Sequence, residues 1–312
     1  MVWLKQHWKS LIMPLVFLIG LCLVTYPSLS DYWNSYHQTK GIMSYAKSVS
    51  KMSDKEYNEI LSRAEDYNKR LTSMNWDMTD AQKKDYESQL NFNHDGSMGY
   101  ISIPKINIKL GIYHGTDDKV LQTSIGHLAG TSLPVGGKGT HCVLSGHRGL
   151  PSAKLFSDLD KLREGDTFTI HVLNETLTYE VDQIRVVEPT DFTDLTIDPN
   201  QDYLTLVTCT PYGVNTQRLL VRGHRIPNAN GGAKVISDAL QLNALYIAPF
   251  IAVPICFLIV AYIFYVTSRH YLKTHGDKVG QYLEEKRIER LKMDSNNYQS
   301  IIKQLKKYFK DN

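Results

Sequence analysis

Two long segments without a charged residue bracket most of the chain and constrain what it can fold into. The first covers residues 10–30 and is preceded by Lys9, and the second covers residues 244–266 and is followed by Arg269. A helix over 244–266 is about 34 Å long, which is enough to cross the hydrocarbon core of a membrane. The basic flanks predict that both termini are cytoplasmic and that residues 31–243 lie outside the cell.

Each segment has an alternative interpretation. The first resembles a signal peptide, although no small-residue cleavage site follows it, so an uncleaved signal anchor is the better reading. The second could be a buried core helix, but its length and its basic flank favour a membrane span. We therefore expect a membrane protein with two spans.

Composition excludes several classes of function. A net charge of +3 over 312 residues is too small to indicate nucleic-acid binding. Cys22 and Cys256 fall in the apolar segments, which leaves Cys142 and Cys209 for the polar region and fits neither a disulfide scaffold nor a zinc site. Acidic residues show no calcium-loop spacing, so we expect neither a metal ion nor a cofactor.

The sequence pattern of the region between the spans changes near residue 98. Before it, residues 53–73 predict an amphipathic helix with a capping box formed by Ser53 and Glu56, and residues 80–90 predict a second helix. After it, short alternating segments predict a small β-barrel, with a short helix at 155–161. The predicted strands are residues 100–103, 111–113, 140–144, 167–173, 177–187, 203–208 and 218–223.

A possible thiol nucleophile ends one of these strands. Cys209 follows strand 203–208, and Arg218 begins the strand that returns from the hairpin. A guanidinium opposite the thiol would stabilise a thiolate and later an oxyanion. Burial of Cys209 as a small apolar side chain is an equally good interpretation of this segment alone.

A histidine partner is less well defined by the residues themselves. His147 follows strand 140–144 and stands in a glycine-flanked loop, where an imidazole could act as general acid and base. Other histidines in the strand-rich region remain open as alternatives: His114, His127, His141 and His224.

Several stretches, in the right order, resemble the sortase family. TLVTC at residues 205–209, followed nine residues later by Arg218, is similar to the sortase TLxTC strand and its downstream arginine. SGHRGLP at 145–151 resembles the histidine loop of class C, the pilin-polymerising branch. Further matching stretches are GYISIPKI (99–106), YHGT (113–116), GHL (126–128), TSLPVGG (131–137), LFSDL (155–159) and RLLVRGHRIP (218–227).

This resemblance implies a mainly β fold: an eight-stranded sortase β-barrel with N-terminal helices and two transmembrane helices. It also implies a cysteine transpeptidase of Gram-positive bacteria that cuts an LPxTG-like motif between Thr and Gly. Cys209 would attack, His147 would protonate the leaving amine and deprotonate the incoming one, and Arg218 would stabilise the oxyanion. The expected partners are pilin subunits that bear the motif and an acceptor lysine, and no cofactor is implied.

One family feature is not present in its usual form. Class C enzymes carry a lid with an Asp-Pro-aromatic motif over the cysteine, and the nearest stretch here is NWDMT at 75–79. In this stretch Trp76 would cover the cleft and Asp77 would pair with Arg218. The alternative is a lid that is absent or loosely held.

Three competing functions remain. A cysteine peptidase would use water to resolve the thioester, a wall-anchoring sortase would use a cell-wall amine, and an assembly scaffold would not catalyse. The expected organisation is a cytoplasmic N-terminus (1–9), a transmembrane signal anchor (10–30), an extracellular helical and lid region (31–95), the catalytic barrel (96–228), a linker (229–243), a second span (244–266) and a basic cytoplasmic tail (267–312). The tail either binds membrane, binds a partner or only completes the anchor.

Overall fold

The computed structural model describes most of the chain. The described residues are 2–228, 255, 257–259, 261, 262, 265 and 269–308. Two compact units are distinguished, one comprising Met1–Val16 with Ile247–Asn312 and the other Phe17–Tyr246. The predicted linker at 229–243 and most of the second predicted span at 244–266 lie outside the described residues.

The chain begins with a single long helix, α1 (Val2–Val49). Its Val16–Val49 part is long and apolar enough to cross a membrane, which agrees with the anchor predicted at 10–30. The helix continues beyond residue 30 because its C-terminal part packs on the barrel, where Ile42 and Tyr45 are buried beside Tyr100. The Tyr45 hydroxyl donates to the Met98 carbonyl at 2.9 Å and accepts from the Leu173 amide at 2.8 Å.

Two capped helices lead from α1 to the barrel. α2 (Asp54–Arg70) begins with the predicted capping box of Ser53 and Glu56, and α3 (Asp80–Ser88) begins with a second box formed by Thr79 and Gln82. In each box the side chains satisfy amide groups that the first helical turn leaves without partners. Both helices were predicted from their spacing, and their inner faces join the barrel core through side chains that include Ala64, Tyr67 and Tyr86.

Eight strands close into a barrel, as the sortase resemblance predicted. They are β1 (Ser97–Ile103), β2 (Ile108–His114), β3 (Ile125–His127), β4 (Thr140–Ser145), β5 (Thr167–Val172), β6 (Glu175–Val187), β7 (Asp202–Thr210) and β8 (Gln217–Ile226). The order around the barrel is β1-β2-β3-β4-β7-β8-β6-β5. A short helix, α4 (Asp118–Leu121), precedes β3.

The register of three strands positions the functional end of the barrel. β4 runs parallel to β7, with Ser145 opposite Val207, and β8 runs antiparallel to β7, with Arg218 opposite Cys209. Alternate side chains point inward, so Leu206 and Val221 are fully buried in the core. Side chains at the intervening positions, which include Cys209 and Arg218, point toward the outer face of the barrel.

Two local predictions need correction. β3 was not predicted, because a strand of three residues is too short to produce an alternating pattern. The helix predicted at 155–161 is a 3₁₀ turn confined to Leu159–Lys161. Leu155 has φ 37°, which a right-handed helix does not permit, and the amide of Phe156 instead donates to the His147 carbonyl at 3.1 Å.

The other unit contains a long helix, α5 (Arg269–Tyr308), in the region predicted as a basic tail. Several apolar side chains on it are exposed, among them Tyr298, Ile301 and Ile302.

Candidate active site

Cys209 lies at the end of β7, immediately before the hairpin that leads to β8. Its side chain is half-buried, and its cross-strand partner is Arg218. Directly opposed residues of an antiparallel pair have Cβ atoms about 4.5–5.5 Å apart on the same face of the sheet. The hairpin is held by amides of Val214 and Asn215, which donate to the Pro211 carbonyl at 3.1 and 3.0 Å. The thiol and the guanidinium therefore share one face beside a closed turn.

Arg218 is held by its own hairpin. Its Nη1 donates to the carbonyls of Asn215, at 3.4 Å, and Gln217, at 3.1 Å. Both bonds use the same nitrogen, and within residues 2–228 no hydrogen bond from Nε or Nη2 is formed. The guanidinium thus keeps donors that can bind a carbonyl or an oxyanion in the adjacent cleft.

His147 is brought to Cys209 by continued pairing beyond the end of β4. The Gly146 amide donates to the Val207 carbonyl at 3.0 Å, and the Thr208 hydroxyl donates to the Gly146 carbonyl at 2.8 Å. Extending the parallel register by two residues puts His147 beside Cys209 and on the same face. A Cβ at Gly146 would stand 2.6 Å from the Phe156 ring, so the close approach of this loop requires glycine.

The other histidines named as alternatives lie away from this face. His127 is fully buried, its Nε2 donates to the Ser132 carbonyl at 2.8 Å, and its Nδ1 accepts from the Tyr86 hydroxyl at 3.0 Å. Burial lowers the pKa of His127 to about 4, so the ring is neutral and structural. His141 is held in the same way between the Thr196 carbonyl and the Thr205 hydroxyl, and burial lowers its pKa to about 4.

The remaining two histidines also have partners elsewhere. His114 faces the carbonyls of Gly96 and Gln89 at 2.9 and 2.8 Å. His224 lies near the other end of β8, 3.9 Å from Asp182. The topology thus brings His147 to the thiol, whereas the sequence pattern alone left the choice open.

Cys142 is a core residue rather than a second active thiol. It is 3% exposed, and burial raises the pKa of its thiol well above the usual value. Its partner on β7 is Leu204, five positions before Cys209, which corresponds to roughly 17 Å along the strand. A disulfide needs Cα atoms within about 7 Å, so Cys142 cannot form one with Cys209 in this fold.

An apolar cleft adjoins Arg218. The cavity has a volume of about 170 Å³, and its walls include Val207 and Leu220 from the sheet and Val187, Phe192 and Leu195 from or beside the β6–β7 connection. Sequence reasoning missed this connection, residues 188–201. Its unusual length between two strands was the available signal.

The segment between α2 and α3 lies over the same region. The rings of Trp76 and Phe192 are 4.8 Å apart, and the Asn75 amide donates to the Gly130 carbonyl at 2.9 Å. Met74 packs against the apolar cluster that contains Val187 and Leu220. Within residues 2–228 no ion pair joins Asp77 to Arg218, and no group of three or more candidate ligands is placed to hold a metal ion.

Comparison with known proteins agrees with this arrangement. The sortase domain family matches residues 101–226. Sortase C1 from Streptococcus agalactiae is 62% identical, with a TM-score of 0.60, over 61% of this chain and 99% of that one. Sortase C from Streptococcus pneumoniae is 44% identical, with a TM-score of 0.56, over 61% of this chain and 97% of that one.

A curated relative is more distant. Sortase D from Bacillus subtilis is 30% identical over 131 residues, which cover 41% of this chain and 63% of the relative. The chain thus spans just under two thirds of that relative, whereas it covers nearly the whole length of the two sortase C structures named above. Together with the closed barrel, these similarities show that the chain belongs to the sortase family of cysteine transpeptidases, in class C.

Proposed function

We propose that this protein joins pilin subunits covalently. It would cleave an LPxTG-like motif between Thr and Gly and transfer the Thr carbonyl to a lysine amine of another subunit. The observation that carries the proposal is the placement of Cys209, Arg218 and His147 on one outer face of the barrel, at the ends of three adjacent strands. The similarity to sortase C enzymes supports pilin as the substrate class.

The proposed chemistry has two halves. The Cys209 thiolate attacks the Thr carbonyl, and the carbonyl π electrons move to oxygen to give an oxyanion that the Arg218 guanidinium stabilises. The C–N bond then breaks as His147 protonates the leaving Gly amine, which leaves a thioester. In the second half a lysine amine attacks, His147 accepts its proton, and the C–S bond breaks to release an isopeptide.

The apolar cleft fits the apolar part of such a motif. Leu and Pro side chains would pack against Val187, Leu195 and Leu220, which would direct the scissile bond toward Arg218 and Cys209. Burial of these side chains also excludes water, and that exclusion favours the amine over hydrolysis of the thioester.

We also propose that residues 72–79 act as a lid. Trp76 would cover the cleft through its contact with Phe192, with Met74 seated on the apolar cluster below. Asp77 would approach Arg218 when the lid is fully closed. The segment would supply an aromatic cover without the usual Asp-Pro-aromatic motif.

The membrane arrangement is part of the same proposal. α1 supplies an anchor, and the apolar segment at 244–266 would supply a second span, so that both termini are cytoplasmic and the barrel is extracellular. This organisation would keep the nucleophile near the outer face of the membrane. Anchoring of surface proteins to the cell wall is the second candidate, because it differs only in the amine that resolves the thioester.

Product analysis tests the proposal. The full-length chain in detergent is incubated with an LPxTG-bearing pilin fragment, with or without a lysine-bearing pilin domain, and products are mapped by mass spectrometry. We expect an isopeptide to the pilin lysine, absent with Cys209→Ala and His147→Ala. Release of only the free acid in the presence of the acceptor would indicate a peptidase, and transfer only to a cell-wall amine would indicate an anchoring enzyme. No cleavage by wild type would favour a scaffold.

A further inference from the structure

Arg148, the residue after His147, is buried although it carries a charge. Its side chain is 8% exposed and forms an ion pair with Asp160. Its Nη1 donates to the Thr210 hydroxyl at 3.2 Å, and the guanidinium lies over the Tyr212 ring at 5.7 Å from the centroid. Thr210 follows Cys209 directly, just as Arg148 follows His147. The Arg148 side chain therefore connects the residue after the histidine with the residue after the cysteine.

This burial is not explained by stability alone. The Nε atom of Arg148 is buried without a hydrogen-bond partner among the described residues. A buried donor without a partner is costly, and a buried ion pair often stabilises a fold no better than apolar residues of the same volume. Asp160 keeps about half of its side chain exposed, so the desolvation cost of this ion pair falls mainly on Arg148.

The surrounding loop needs a link of this kind. Between Ser145 and the turn at Leu159–Lys161 the chain has no regular secondary structure, and Gly149 has φ 78°. Backbone pairing with β7 ends at Gly146. The amide of Phe156 donates to the His147 carbonyl at 3.1 Å, but this bond closes the loop on itself and does not join it to the cysteine hairpin. The guanidinium fork reaches Asp160 and Thr210 at once, which the single ammonium of lysine does less well.

We propose that Arg148 is a positioning residue that fixes His147 relative to Cys209 by tying the histidine loop to the cysteine hairpin. The inference rests on the proposed function, because it assigns Arg148 a part in the Cys209–His147 reaction. Arg148 does not touch the substrate in this account. It acts through the distance between the imidazole and the thiol.

A set of matched variants tests this role in the full-length chain in detergent, with a fluorogenic LPxTG peptide as probe. Arg148→Met keeps the aliphatic volume but removes the fork, and we expect kcat to fall roughly 10- to 100-fold, as for a misplacement of about 1 Å, while KM changes less than about two-fold. Arg148→Lys should recover part of the loss. Thr210→Val should also lower kcat, and the double variant should be no slower than Arg148→Met alone.

Arg163→Met is the control. Arg163 is a nearby arginine whose Nη1 donates to the carbonyls of Asp160 and Leu162, both at 2.8 Å, without reaching the cysteine hairpin. It should keep wild-type kcat. The inference is overturned if Arg148→Met keeps kcat within two-fold of this control, or if the Arg148→Met and Thr210→Val effects multiply fully.

A second measurement separates this inference from the proposed function. The rate at which iodoacetamide alkylates Cys209 is followed by peptide mass spectrometry and does not depend on any pilin. Arg148→Met should slow alkylation toward the rate of His147→Ala, whereas Arg163→Met should not. If wild type fails to cleave the peptide, the proposed function fails, but slowed alkylation still supports the link. Unchanged alkylation overturns the link whether or not the peptide is cleaved.

Discussion

At the scale of single residues, Arg218 is placed to act on charge that develops at the substrate carbonyl. Its Nη1 is used by the carbonyls of Asn215 and Gln217, so the fork is held with its other donors available. Lysine would keep the charge but not this geometry. We expect Arg218→Lys to lower kcat/KM for an LPxTG peptide roughly 100-fold or more, in the range seen when an oxyanion donor is lost.

Arg222 provides a matched control on the same strand and the same face. It pairs with Asp182 through two hydrogen bonds of 3.1 Å, away from the cysteine. Arg222→Lys should therefore leave kcat/KM within about two-fold of wild type. Equal losses in the two variants would mean that Arg218 stabilises the strand rather than the transition state.

The buried histidines make stability depend on pH. The folded-state pKa of His127 is about 4, below the unfolded value of about 6.5, so the unfolded chain binds more protons between these values. The stability that neutral His127 contributes is therefore fully present above about pH 6.5. It is lost as pH falls toward 4, and the loss in the free energy of unfolding is roughly 3 kcal/mol at most. We expect the free energy of unfolding to decrease on going from pH 7.5 to 5.

His127→Gln separates this effect from the titration of carboxylates. Urea unfolding of the full-length chain at both pH values should show that the free energy of unfolding falls less on acidification in this variant than in wild type. The part of the fall that is due to His141 should remain. A wild-type slope in His127→Gln would contradict burial of a neutral ring.

At the scale of elements, α1 holds the loop that carries His147. The Lys154 amide donates to Asp31 Oδ1 at 2.8 Å, and Asn34 Nδ2 donates to the Ser152 carbonyl at 2.7 Å. These contacts join the C-terminal part of the anchor helix to residues five to seven positions after the histidine. The helix is thus a support for the active site as well as a candidate anchor.

We expect Asp31→Ala with Asn34→Ala to loosen this loop. Loss of each hydrogen bond should reduce stability by roughly 1 kcal/mol, and amide hydrogen exchange at residues 150–156 should accelerate. Thr39→Ala is the control, because its hydroxyl donates to the Ser35 carbonyl within the helix itself. Unchanged exchange at 150–156 in the double variant would show that α1 does not hold the loop.

The segment over the cleft gives a second prediction at this scale. If Trp76 covers the apolar cleft through Phe192, Trp76→Ala should raise the initial rate of peptide acylation several-fold with little effect on Tm, since the ring is 42% exposed. Stopped-flow measurement of the acylation phase with a fluorogenic peptide checks this. An unchanged rate would remove the lid proposal.

The sequence predicted these elements where local patterns are strong. Alternation revealed β7 and β8, and the capping box marked the start of α2 at Ser53. β3 was not predicted because three residues contain too little alternation. The C-terminal part of α1 was not predicted because packing on the barrel, rather than helix spacing, extends the helix. The positive φ of Leu155, the first residue of the helix predicted at 155–161, has no sequence signature, because leucine rarely adopts that conformation.

At the scale of the whole molecule, barrel closure turns separate motifs into one site. Cys209 and Arg218 could be paired from their hairpin alone, whereas strand pattern and spacing left five histidines open, and His147 was singled out only by the resemblance of its loop to the sortase family. The structural reason for its placement is the parallel pairing of β4 with β7, which is nonlocal and therefore leaves no trace in local periodicity. The same nonlocality hid the contact between Arg148 and the cysteine hairpin.

The connection between the anchor helix and the barrel also concerns the whole molecule. α1 is long and apolar enough to span a membrane, and its C-terminal part is fixed to the barrel by Tyr45. The barrel would therefore be held at a set distance from the membrane rather than on a flexible tether.

The most direct test of the central claim is the identity of the atom that carries the acyl group. The full-length chain in detergent is mixed with an LPxTG peptide, quenched in acid and analysed by intact and peptide mass spectrometry. We predict an adduct on Cys209 with the mass of the peptide through its Thr, which is absent in Cys209→Ala and disappears when a lysine-bearing acceptor is added. Cleavage without this adduct, or equal cleavage by Cys209→Ala, would contradict the account.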